Sequence, residues 1–290
     1  MIFVTDKGQL CNNIIQYGHL YAWGREHHRP TMSMRFAHKY PEFHISHTRW
    51  HSHAVYLAAK LSARMGLMPT VSFTDMGSDY AAEQRVMLSR PWVMAEGWCV
   101  RFFDLFDKYR ADIERLFAFS PRVEQTVARR LQEAAAGGAK TAGTERPGGE
   151  GPLRLGLHIR RGDYATWCHG HYFYSDGQYA GVAGRFARLF PGRRVELFVC
   201  TNDRQTDRDL YRRRFGTEHV HFPDGSAAED LCLLSHCHYL IGAPSTFTLV
   251  ASMYHNARLH WITDPSQPLT PGDFDTFQNR HRQFDSLYIP

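Results

Sequence analysis

The chain reads as an α/β protein of two domains, each built on a mostly parallel sheet. Three observations predict this. Strand-like and helix-like runs alternate through the second half, the pattern of a doubly wound sheet. The stretch Ala134 to Pro152, A-A-A-G-G-A-K-T-A-G-T-E-R-P-G-G-E-G-P, carries almost nothing that could enter a core. Each half that it separates opens on a strand-like run. The expected division is a first domain over 1–136, a flexible linker over 137–152 and a second domain over 153–290, whose C-terminal segment is free to pack back on the first.

In the first half, Ile2 to Thr5 is a short apolar strand, followed by a glycine loop and a helix from about Asn12. Trp98 to Phe117 has an apolar rhythm that suits helices. The second half is more regular. Leu155, Leu157 and Ile159 alternate with Gly156, His158 and Arg160, the period of a strand. A polar, aromatic loop covers Ala165 to Asp176, and a helix Gln178 to Leu189. Val195 to Cys200 is a strand, Arg204 to Phe215 a helix and His219 to Phe222 a short strand. Glu229 to Cys237 suits a short buried helix, Tyr239 to Gly242 a strand, Ser245 to His255 a helix and Leu259 to Ile262 the closing strand.

Composition narrows the function classes. The 290 residues are 43% hydrophobic, enough for two real cores at roughly 100–200 residues per domain. A net charge of +5, from 34 basic and 29 acidic residues, is mild, and no basic run tracks a nucleic-acid backbone. No nucleic-acid partner is therefore expected. Met1 to Ile15 lacks the features of a secretory signal, and no stretch approaches the ~20 apolar residues of a membrane helix. The expectation is a cytoplasmic protein with at most peripheral membrane contact. Six scattered cysteines without a C-x-x-C pair read as reduced thiols.

The chemistry concentrates where strands end. Leu155 to Tyr164, L-G-L-H-I-R-R-G-D-Y, runs from a strand straight into two arginines. Guanidinium groups match phosphate oxygens bidentately and do not deprotonate, and open α/β sheets collect ligands at the carboxyl ends of their strands. Arg160 and Arg161 therefore point to a phosphate-bearing ligand. Thr201-Asn202-Asp203 ends a second strand, and Ser245-Thr246-Phe247-Thr248 lies between a strand and a helix, whose first N–H groups can hold phosphate. Asp203 or Asp230 could accept from the donor edge of guanine or from a ribose hydroxyl. Neither G-x-x-x-x-G-K-[ST] nor G-x-G-x-x-G occurs, so this is neither a P-loop nor a dinucleotide fingerprint.

H-I-R-R-G-D-Y resembles the H-x-R-R-x-D-Y signature of the α-1,2-fucosyltransferase family and its GDP-fucose-dependent relatives. Gly8 to Tyr17, G-Q-L-C-N-N-I-I-Q-Y, is similar to that family's opening G-x-L-G-N-Q-x-x-Q-Y. Glu229 to Cys237 resembles its acidic helix, Ser245 to Thr248 its S-T-F-S loop, and Gly97 to Phe119, weakly, its G-Y-x-Q-S-E-x-Y-F segment. The segments occur in family order over most of the chain. The resemblance implies two facing Rossmann-like domains, the GT-B architecture, and inverting transfer of L-fucose from GDP-fucose to a hydroxyl of a glycan acceptor, without a metal or other cofactor. It implies that Arg160 contacts the diphosphate, that His158 supports it, that Ser245, Thr246 and Phe247 line the phosphate pocket, and that Gly8 and Asn12 reach the donor from the first domain. Assembly of a bacterial surface polysaccharide is the expected setting.

Several residues depart from the family pattern. Cys11 stands for the usual glycine, Asn13 for glutamine, Pro244 for asparagine, and Leu249 and Val250 for tryptophans. The catalytic base stays open among Asp163, Glu96, Asp75 and the first-half histidines, and a dissociative reaction needing little base is also open. The histidines at 44, 47, 51 and 53 match no metal-ligand spacing, as do 169 with 171 and 236 with 238, and no metal site is assigned. Trp167, Tyr172, Phe173 and Tyr174 either stack on a sugar or pack their loop. The alternatives to this reading are a transferase for another GDP-sugar or linkage and a non-catalytic nucleotide- or glycan-binding protein.

Overall fold

A computed structural model describes residues 1–33, 35–48, 52–74, 77–139 and 151–287. His51 and Asp75, and linker residues 140–150, lie outside the described residues. The chain divides into two compact units, Met1–Ser120 and Pro121–Pro290.

The first unit carries a four-stranded parallel sheet in the order β2-β1-β4-β3. Its strands are β1 (Ile2–Val4), β2 (Thr31–Ser33), β3 (Thr70–Ser72) and β4 (Val93–Glu96). Six helices accompany them: α1 (Leu10–Glu26), α2 (Phe36–Lys39), α3 (His53–Arg64), α4 (Tyr80–Ser89), α5 (Phe103–Lys108) and α6 (Arg110–Leu116). Helix α1 is buried nearly all round, from Leu10 and Ile14 to Trp23. Its buried face also takes in the polar Asn13, Gln16 and His19, so the helix belongs in the core rather than on a surface.

The second unit begins earlier than the sequence suggests. Helix α7 (Pro121–Ala139) runs through the alanines assigned to the end of the first domain and reaches into the expected linker. Alanine is the strongest helix former, and α7 buries Val123, Val127 and Ala134. Arg130 of α7 pairs with Glu229 of the second unit at 3.2 Å. The division therefore falls before α7 rather than after 136.

Five parallel strands follow: β5 (Leu153–Ile159), β6 (Val195–Thr201), β7 (Val220–His221), β8 (Tyr239–Gly242) and β9 (Arg258–Trp261). They alternate with α8 (Asp176–Leu189), α9 (Arg208–Phe215), α10 (Ala227–Ser235) and α11 (Thr246–Tyr254), and α12 (Phe277–Gln283) follows β9. The sheet order is β7-β6-β5-β8-β9. Leu155, Leu157 and Ile159 of β5 are fully buried, packed with Leu197, Val199, Ile241 and, from α8, Tyr179, Ala183 and Phe186. The C-terminal segment packs within this unit: Tyr172 Oη donates to the Leu287 carbonyl at 2.9 Å, and Arg280 Nε to Leu259 O at 3.1 Å.

The α/β class with two parallel sheets, expected of GT-B architecture, is thus observed. No described helix is long and apolar enough to cross a membrane.

Candidate functional site

Strand order places the site. In β7-β6-β5-β8-β9 the chain moves outward from β5 on one side, then returns to add β8 on the other. The loops leaving β5 and β8 diverge, and the crevice at such a switch point is where open α/β sheets bind ligands. His158 of β5 pairs in register with Gly242 of β8, so Arg160 and Ser245 emerge from neighbouring strand ends. Glycine is required at 242, because a Cβ there would stand 2.9 Å from the His158 carbonyl oxygen and 3.2 Å from Thr248 Cγ2.

Each loop is locked. Ser245 is the N-cap of α11, its Oγ accepting from Phe247 N at 3.0 Å. Thr248 Oγ1 donates to Ser245 O at 3.0 Å and lies 3.0 Å from Trp261 Nε1, its donor. Tyr164 Oη donates to the Pro244 carbonyl and so ties the loop after β5 to the loop after β8. The first turn of α11, with Thr246 and Phe247 half-buried, is held rigidly at the crevice.

His158 forms the floor. It is 5% exposed, and its ring stacks on Phe247 with centroids 4.7 Å apart and planes 18° apart. Burial, reinforced by the charge of Arg160, pulls its pKa down to about 3, so the imidazole is neutral. Its Nδ1 is buried without a hydrogen-bond partner. Cys200 of β6 is its register neighbour, and burial, reinforced by the charge of Asp230, raises that thiol's pKa. Asp230, in the first turn of α10, accepts from Gly225 N at 3.2 Å and is pushed by burial to about 7.

The adjacent arginines differ sharply. Arg161, 14% exposed, spans two carboxylates, with Nη1 2.7 Å from Asp203 Oδ2 and Nη2 2.9 Å from Asp176 Oδ1. Its backbone N–H donates to Asn202 Oδ1 at 2.9 Å, and Asn202 Nδ2 returns a bond to its carbonyl at 3.2 Å. The Gln205 N–H and then Arg161 hold the Asp203 carboxyl below its usual range. Arg160, 25% exposed, meets one carboxylate, that of Asp163, with both oxygens 2.9 Å from Nη2. Asp163 is itself 61% exposed. The two arginines expected at the phosphate thus differ in their partners: Arg161 is balanced by Asp176 and Asp203, whereas Arg160 pairs with Asp163. Asn202 and Asp203, expected at the donor, both bond Arg161.

The aromatic loop packs. Trp167 lies 4.7 Å from Tyr164 and 5.4 Å from Tyr172 between ring centroids, and Tyr174 Oη donates to Ile262 O at 3.0 Å. Phe173 alone of the four is turned outward, 45% exposed.

In the first unit, Gly8 follows β1 with φ +74°, and a Cβ there would fall 2.4 Å from Asn12 Nδ2. Asn13 closes this loop, accepting from Lys7 N at 2.7 Å and donating to Gln9 O at 2.9 Å. Glu96 is exposed at the carboxyl end of β4. Sequence reasoning missed Asp6. Burial raises its pKa, Oδ1 accepts from Arg35 N at 3.0 Å, and Oδ2 is buried without a partner. Its position directly after a strand was the available signal. His44 and His47 share a short 3-10 turn, while His53 stacks edge-on to His38, 5.1 Å away.

No protein-family profile matches the chain, and no curated protein matches it in sequence. Solved structures match its fold. A mutant of Arabidopsis thaliana FUT1 in complex with GDP aligns over 95% of this chain and 73% of its own, with TM-score 0.59 and 12% identity. Fucosyltransferase NodZ from Bradyrhizobium aligns over 94% and 97%, with TM-score 0.55 and 12% identity. POFUT1 in complex with GDP-fucose aligns over 87% and 93%, with TM-score 0.53 and 11% identity. The chain is similar to these proteins in fold.

Proposed function

We propose that the protein is an inverting glycosyltransferase that moves L-fucose from GDP-fucose to a hydroxyl of a glycan acceptor, with an α-1,2 linkage. The observation that carries the reading is Arg160: a guanidinium at the β5/β8 switch point, countered by one exposed carboxylate and adjacent to the capped start of α11. The fold shared with a fucosyltransferase and with proteins bound to GDP and GDP-fucose supports the choice of donor.

In this reading the acceptor oxygen attacks the anomeric carbon as the bond from that carbon to the β-phosphate oxygen breaks. Negative charge then builds on GDP. Arg160 and the positive end of the α11 dipole stabilise it where it develops, the kind of preorganised interaction that contributes most to such reactions. His158 acts through position. A neutral ring stacked under Phe247 holds the strand end rigid without adding a second charge that would compete for Asp163. The diphosphate displaces Asp163 from Arg160, and the freed carboxylate is the nearest candidate to take the acceptor proton. Asp230 serves the nucleoside end, and Gly8 and Asn12 are the first unit's candidates for the donor.

A thermal-shift titration with GDP, UDP and CDP, with and without EDTA, tests the reading, since a ligand of the native state raises its stability as RT ln(1 + [L]/Kd). A GDP-selective shift of the same size in EDTA is expected. No shift with any nucleotide would discard the transferase. A GDP shift without consumption of GDP-fucose over a panel of acceptors would leave a nucleotide-binding protein.

A further inference from the structure

Away from the strand ends, on the far side of α10, three side chains of metal-ligand type converge. Glu124 lies one turn into α7, and Cys232 and His236 stand four residues apart at the end of α10, which places them on one helix face. One ligand atom from each lies within 4.8 Å of the other two. His236 Nε2 is 3.4 Å from Glu124 Oε2.

We propose that Glu124, Cys232 and His236 form a binding site for a divalent transition-metal ion of the zinc class, clamping α7 to α10. The His–Glu separation is long for a charge-assisted hydrogen bond, whose usual length is ~2.7–2.9 Å. It is close to the ~3.3 Å edge of a tetrahedron with metal–ligand bonds of ~2.0 Å. The donor set, thiolate, imidazole and carboxylate, suits Zn²⁺ and disfavours Ca²⁺ or Mg²⁺, which take oxygen. Thiolate and carboxylate together neutralise a divalent ion, as a half-buried site requires.

The surroundings fit a ligating histidine. The His255 ring lies 4.3 Å from that of His236, and its Nδ1 is 3.1 Å from the Ser235 carbonyl. His236 also lines a cavity of about 760 Å³ at the amino ends of β5, β8 and β9. On binding, the Cys232 S–H bond is exchanged for an S–metal bond and one proton leaves to water.

The site is separate from the donor crevice, so its test does not depend on the transferase reading. The full chain is stripped with chelator, then titrated with Co²⁺ and with Zn²⁺ while absorbance and bound metal are measured. One ion per chain is expected, with a thiolate-to-cobalt charge-transfer band and tetrahedral ligand-field bands that Zn²⁺ abolishes. Affinity should fall on the order of a hundredfold in His236→Gln and in Glu124→Gln, at the upper end of what even supporting residues contribute. Cys232→Ser should lose the charge-transfer band, while Cys237→Ser keeps it. His236→Gln and Glu124→Gln change half-exposed residues, so they remain informative if Cys232→Ser does not fold. Absence of the thiolate band, or binding unchanged in His236→Gln and Glu124→Gln, would overturn the proposal.

Discussion

At the carboxyl end of β5 two neighbouring residues serve opposite sides of the strand. On the β6 side, Arg161 is held between Asp176 and Asp203 and braced by Asn202, a closed cluster in which positive charge meets more than its equal. On the β8 side, Arg160 meets only the exposed carboxylate of Asp163, beside the start of α11. The difference separates a charge matched within the fold from one met by a single exposed carboxylate. A buried pair costs several kcal/mol when one partner is lost, whereas an exposed pair is worth ~0–1 kcal/mol and yields easily to a better anion.

The largest effect expected from this contrast is on turnover. Arg160→Ala removes a donor aimed at developing charge, and transfer should fall by about 10²- to 10³-fold. The melting temperature should stay within a degree or two, because only a partly exposed pair is lost. Kinetics with GDP-fucose beside a melting curve checks both halves. Normal turnover in this variant would remove the basis for the proposed function.

The reverse pattern is expected of Arg161→Ala. Asp176 and Asp203 would be left facing each other at 14% and 21% exposure. A loss of about 3 kcal/mol is expected, on the order of 6–12 °C in melting temperature for a unit of this size. Residual turnover measured well below the new melting point should exceed that of Arg160→Ala. If the two variants were equally stable and equally inactive, the division between clamp and ligand site would be wrong.

How much of this contrast was legible in the sequence follows from how local each feature is. The alternation of Leu155, Leu157 and Ile159 is a property of adjacent residues, and it located both β5 and the arginines. The helix expected over 178–189 starts two residues earlier, at Asp176, because Ser175 caps it, while the serine at 245 marked the helix over 246–254. Arg161 could not be separated from Arg160, because its partner Asp176 arrives from α8 and Asp203 from the end of β6. Helix α9 starts at Arg208 rather than Arg204 because Asp207 caps it after a turn at Asp203 and Thr206. The three-residue strands β2 and β3 are too short to show a period. The alanines and glycines near 136 read as linker, yet α7 carries them because its earlier residues pack on α10. Asp6 was overlooked because its place after the first strand was the one local signal, and the burial of its carboxyl is set by residues distant in sequence such as Arg35.

The floor of the site adds a pH test. His158 titrates near 6.5 when unfolded and near 3 when folded. Above pH 6.5 it is neutral in both states and contributes no slope. Below, the unfolded chain binds a proton that the native chain refuses, so stability falls as pH drops from 6.5 towards 3. At pH 5 the loss from this residue alone is about 2 kcal/mol. His158→Phe, which keeps a ring against Phe247, should flatten the curve of unfolding free energy between pH 6.5 and 5. An unchanged slope would show that the imidazole is not buried as the stacking with Phe247 requires.

The smallest effect examines the competition at Arg160 itself. Asp163→Asn keeps the side chain's shape and removes the charge that GDP must displace. An exposed pair of this kind contributes up to ~1 kcal/mol, so GDP affinity should rise by about two- to fivefold, with turnover falling if Asp163 takes the acceptor proton. Calorimetric titration and initial rates separate these two quantities. Weaker GDP binding would instead mean that Asp163 positions the guanidinium for phosphate. Arg160 would then belong, like Arg161, to a clamp that is complete before any ligand arrives, and the two sides of β5 would differ only in degree.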